Sequence, residues 1–177
     1  SPVLLQEPDY SVAGTIDNTE YDKTHADRFT VDGKSITMEE DVQFAHYDPN
    51  VASLMQLGKW FDYMRENGVY DNTRIILVAD HGRGLYLNWD RVIDNGPDTD
   101  FFFPLLMVKD FNAKGFSFSD TFMTTADVPT LATSGLIDNP TNPFTGNAIN
   151  ANAKYDRPFY AFMSYDWDTS KNNGNQF

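Results

Sequence analysis

The chain of 177 residues has no cysteine, which removes disulfides, thiol chemistry and any Cys-built zinc site, and with them any reading of compartment from redox logic. It is also poor in positive charge. Thirteen Lys plus Arg stand against 26 Asp plus Glu, a formal net charge of −13, so the chain repels a phosphate backbone and offers no basic stripe to nucleic acid. No apolar run reaches the length of a spanning helix, and no basic-then-apolar segment opens the chain as a secretion signal would. Only three histidines occur, so imidazole chemistry falls to His25, His46 or His81. What is present is 41% hydrophobic and 15% aromatic, enough for one domain with a core. The start at Ser1-Pro2, without Met, reads as an excised fragment or a processed product.

The most informative stretch is Ile75-Ile76-Leu77-Val78-Ala79-Asp80-His81-Gly82-Arg83-Gly84. A continuous, β-branched apolar run between a turn signal at Asp71-Asn72 and two glycines predicts a strand buried on both faces of an α/β sheet. Asp80 and His81 leave that strand into a glycine turn, where neighbouring side chains can be aimed at one point. Carboxylate plus imidazole is half of a metal site. An Asp at a strand exit is also a common turn residue, so the tripeptide alone leaves both roles open. Arg83 is placed to meet an anionic oxygen with its planar fork, and equally to make a surface ion pair.

Around this strand the chain divides into an irregular surface segment (1–37), an α/β core (38–135), and a loop, last strand and tail (136–177). In the first part Asp32-Gly33 predicts a hairpin turn between 29–31 and 35–37, and His25 reads as a solvated loop residue. A short helical turn over Glu39 to His46 is expected next, with His46 structural at its end. Asp48-Pro49 then resembles an N-cap and first-turn proline opening an amphipathic helix that Asn67-Gly68 closes. A second strand is expected over Phe103 to Val108, parallel to the first. The long connection from Arg83 to Thr99 reads as site-forming. A helix over Thr125 to Gly135, a loop over Asp138 to Asp156 and a last strand over Phe159 to Met163 complete the expectation.

Three segments in this order resemble the carboxy-terminal half of the sulfatase and alkaline-phosphatase superfamily: Leu57 to Gly82 ending in Ile-Ile-Leu-Val-Ala-Asp-His-Gly, Phe103-Pro104-Leu105-Leu106, and Asp127-Val128-Pro129-Thr130-Leu131 with Gly135. Gly68-Val69-Tyr70-Asp71-Asn72-Thr73 is most similar to the membrane-anchored branch of lipoteichoic acid synthases and phosphoethanolamine or phosphoglycerol transferases. The resemblance implies part of an alkaline-phosphatase-like α/β/α sandwich and ligation of one divalent metal (manganese, zinc, calcium or magnesium) by Asp80 and His81. It implies a phosphate- or sulfate-ester substrate, and a location on the extracellular face of a bacterial membrane, with the anchor in segments absent from this soluble chain. In the family the nucleophile and the remaining ligands lie in an earlier segment, which nothing here matches, so this chain alone is expected to be inactive. No histidine follows His81, which points to one metal rather than two. The competing expectation is a catalytically inactive scaffold or binding domain of the same fold.

Overall fold

The computed structural model describes residues 3–31, 33–38, 41–85, 99–156 and 158–159, with the side chain of Val31 left out. Residues 3–38 are more structured than an irregular segment. Strands β1 (Leu5–Gln6) and β2 (Ser11–Val12) pair antiparallel, and helix α1 (Thr19–His25) follows. The Asp9 carboxylate holds the β1–β2 turn by accepting from the amide and hydroxyl of Ser11. Helix α1 carries Glu20 and Asp22 in its first turn and Lys23 and His25 in its last, the order that the helix dipole favours. Neither signal is an apolar period, which is why the segment reads as loop. A 3-10 turn over Ala26–Phe29 leads into strands β3 (Thr30–Val31) and β4 (Lys34–Ser35), an antiparallel hairpin whose turn holds Gly33 at φ 76°.

Where two helical pieces were expected, one helix, α2, runs unbroken from Asp41 to Glu66 with Pro49 inside it. Proline removes the amide that would meet the carbonyl of residue 45 and crowds that turn, at a cost of about 3 kcal/mol in a helix interior. Side chains support the backbone around it: Asn50 Nδ2 donates to the carbonyl of His46 (2.5 Å) and Ser53 Oγ to that of Pro49 (2.7 Å). Asp48 is therefore not an N-cap, and His46 lies inside the helix rather than at its end. The far end matches the glycine signal. Gly68 adopts φ 68°, its amide donates to Arg65 O, and Val69 N donates to Met64 O, a Schellman closure.

Strand β5 (Ile75–Val78) pairs with β6 (Leu106–Lys109) antiparallel, with Ile76 opposite Val108 and Leu77 opposite Met107. The parallel arrangement expected from sequence is wrong. The connection is long enough for a crossover, but its described part folds back at the same end of the sheet: Ala79 N donates to Leu105 O, and Gly82 N to Phe101 O within a 3-10 turn at Thr99–Phe102. Nor is the strand buried on both faces. Ile75 to Leu77 are half-buried, and Val78, Met107 and Val108 are 41%, 40% and 45% exposed, because two strands have few neighbours to cover them. Among the described residues every sheet is two-stranded and antiparallel, and α2 packs most extensively on β1 rather than on β5 or β6.

The helix expected over Thr125 to Gly135 is a 3-10 turn (Thr125–Asp127) followed by α3 (Val128–Thr133), opened by a capping box between Thr124 and Asp127. Arg74, just before β5, ties α3 to the sheet. Its guanidinium donates to the carbonyls of Leu131, Ala132 and Ser134 and to the carboxylate of Asp110. A cation on the last carbonyls of a helix answers both their unmet acceptors and the dipole. The expected strand over Phe159 to Met163 lies outside the described residues, except for Phe159, which is not in a strand. Among the described residues the buried apolar side chains are Ala45 and Met64, whereas Glu7, Asn18, Gln43, Asp48, Asp100 and Asp127 are buried polar or charged ones. No described helix is long and apolar enough to cross a membrane.

Candidate metal-binding turn

The β5 ladder ends where Ala79 donates to Leu105, and the next residues are the two candidate ligands. Asp80 uses Oδ1 to accept the backbone amide of His81 (2.9 Å), which fixes its χ1 and leaves Oδ2 free of that bond. The imidazole of His81 is anchored through Nδ1, 2.6 Å from the carbonyl of Gly82. A carbonyl only accepts, so Nδ1 carries the proton of this bond, and the neutral ring presents the Nε2 lone pair. Nε2 lies 3.9 Å from Asp80 Oδ2. Two donors on a tetrahedral ion with bonds of about 2.0–2.2 Å stand about 3.3–3.6 Å apart, so the pair is a few tenths of an ångström too wide as placed, and a small rotation of either side chain would bring the carboxylate oxygen and the imidazole nitrogen to that spacing. Both side chains face water, at 90% and 63% exposure.

The turn is held against the segment that leads into β6. A Cβ on Gly82 would fall 1.9 Å from the backbone oxygen of Asp100 and 3.0 Å from that of Phe103, so only glycine admits this approach. Phe101 then forms a wall: its ring centroid lies 6.4 Å from that of His81 at 27°, and the Arg83 guanidinium stands 5.8 Å from it. Asp80, His81 and Arg83 thus gather at one edge of the sheet, beside an aromatic surface that sequence reasoning missed. Contacts such as 81 to 101 leave no trace in local periodicity. Gln43 on α2 donates to the carbonyl of Leu85 and ties the same loop to the helix. Residues 86–98 of the connection expected to form a site lie outside the described residues. We expect Gly82→Ala to displace the 99–102 turn and lower unfolding free energy by about 1–3 kcal/mol, the range of overpacking. Urea denaturation checks this, and an unchanged midpoint would show that the turn yields freely.

The other histidines are elsewhere engaged. His25 is the last residue of α1, not a loop residue, and its ring stacks on Tyr21 at 4.0 Å. His46 Nδ1 lies 2.8 Å from the carbonyl of Val42, one helical turn back. Among the described residues no three His, Asp or Glu side chains come together as a set able to hold a metal. Asp80 and His81 alone would offer a metal two protein ligands. No protein-family model, curated protein or solved structure matches the chain.

Proposed function

We propose that this chain is the carboxy-terminal part of a metal-dependent, sulfatase-like hydrolase or phosphotransferase acting on phosphate or sulfate esters. In this reading Asp80 and His81 contribute two ligands of one divalent metal, and the nucleophile is supplied by a segment outside this chain. The complete protein would work on the extracellular face of a bacterial membrane. The three ordered motifs support the reading. The observation that carries it is the paired geometry of Asp80 Oδ2 and His81 Nε2, with the imidazole tautomer set by Gly82. When bound, the ion would lower the pKa of a coordinated hydroxyl and screen charge on the displaced group. The chain's own part is to aim one oxygen and one nitrogen, and to hold Arg83 where it can meet an anionic oxygen.

A scaffold or binding domain is the second reading, favoured by the two-ligand limit among the described residues. Manganese tests the metal role itself without an activity assay. Titrated into the chain, Mn2+ is expected to broaden the His81 ring resonances before those of His25 and His46, and Asp80→Asn should abolish that order. Simultaneous broadening of all three rings would overturn the metal role.

A further inference from the structure

Asp48 has no exposed surface, and neither carboxylate oxygen has a hydrogen-bond partner. It sits in the first half of α2 beneath the layer formed by residues 3–29. That layer is stitched by its own charges: Arg28 grips Glu7 through Nε–Oε1 (3.1 Å) and Nη2–Oε2 (2.7 Å), also reaches Asp22, and Asn18 donates to Glu7 Oε2 (2.9 Å). Phe29 packs edge-on against Phe44 and Tyr47 of α2. Among the described residues the charged groups facing Asp48 are Glu7 and Arg28. Glu7, beyond β1, is a second carboxylate. Tyr10 of the β1–β2 turn and Tyr47 of α2 also face it, with neutral phenols that make no bond to its oxygens. Among the described residues Arg28 is the cation facing it, with its donors on Glu7, Asp22 and the carbonyl of His25.

We propose that Asp48 is a proton-operated latch: with its carboxyl neutral, residues 3–29 close over the first half of α2, and its ionisation loosens that seam. An enclosed carboxylate without a donor is costly, whereas the protonated acid needs no counter-charge. Burial, helped by Glu7 and opposed by Arg28, pushes the Asp48 carboxyl up to about 6, and the same environment pushes the Tyr10 phenol up to about 12, burial first and then Glu7. The sign follows. The closed state holds the proton more tightly than the open one, so closure is most favoured below the ordinary carboxyl range near 4. It weakens as pH rises to about 6, and levels off above that.

Hydrogen–deuterium exchange of the chain at pH 5.0 and 7.5, corrected for intrinsic rates, tests this at the amides of Tyr10 and Ala13, which are bonded within the layer. Protection is expected to fall roughly tenfold from pH 5.0 to 7.5 in the wild type, the change such a shift implies over that interval. Asp48→Asn and Asp48→Leu, neutral at every pH, should hold protection constant within about twofold. Imidazoles also titrate near neutrality, so the variants and not the wild type alone carry the test. Equal wild-type protection at both pH values would overturn the latch, as would the same tenfold fall in either variant. Should Asp48→Asn fail to fold because of its unmatched amide, the leucine variant gives the comparison.

Discussion

In the sulfatase-like enzyme proposed above, Asp80→Ala and His81→Ala are each expected to lower turnover by roughly a thousandfold or more, while His25→Ala leaves it within about twofold. Losing a metal ligand removes the charge that screens the reacting oxygens and the geometry that aims the nucleophile, and each can cost several kcal/mol. Stability should hardly respond. Both side chains are largely in water, so truncation opens no cavity and orphans no buried group, and such changes stay within about 0.5 kcal/mol. His25 differs in what it touches: its ring lies on Tyr21 and its Nδ1 near the Tyr21 carbonyl, at the end of α1. Activity measured with metal content for the three variants checks the prediction. Unchanged metal occupancy in both Asp80→Ala and His81→Ala would reduce the pair to a strand-exit turn, in which Asp80 simply accepts the His81 amide.

Asp80 and His81 were legible as a strand-exit turn because the hydrogen bonds of their own side chains are local. An apolar run ends, a glycine follows, and the tautomer of His81 is set by the very next carbonyl. The helix end at Gly68 and the hairpin at Gly33 were legible for the same reason, since each needs a positive φ that glycine supplies cheaply. Strand direction was not, because an apolar run carries no sense of whether its partner returns or crosses over. The return is decided by Gly82 meeting the backbone of Asp100 and Phe103, far along the chain. Asp48-Pro49 misled for a different reason. The same dipeptide opens a helix when preceded by a break, and is carried through a helix when tertiary packing and the Asn50 and Ser53 side chains support the carbonyls around it. The burial of Glu7 is the least legible feature of all, since it depends on Arg28, 21 residues later, and on Asn18.

That buried pair gives the largest expected effect on stability. Glu7 is 1% exposed at its side chain and Arg28 14%, and their two parallel bonds are the forked geometry that only arginine makes with a carboxylate. Arg28→Ala would strand Glu7 in a site with one remaining donor, Asn18, and beside a second acid, Asp48. Breaking one side of a buried pair costs about 3–5 kcal/mol, which for a domain near this size corresponds to a fall in Tm of about 10 °C. Arg28→Lys keeps the charge but loses the fork, and should fall between the wild type and alanine. Combining Glu7→Gln with Arg28→Met should recover much of the loss, because the orphaned charge goes with its partner. The deficit of Arg28→Ala should also shrink from pH 7.5 to pH 5.0. Arg28 holds the Asp48 carboxyl down against burial and Glu7, so without it the proton stays on Asp48 to higher pH and acid offsets part of what the guanidinium supplied. Calorimetric scans of the four proteins at both pH values decide it. An alanine variant melting within about 2 °C of the wild type at pH 7.5 would mean that the layer over α2 is held by its aromatic contacts, with the Glu7–Arg28 pair contributing nothing measurable.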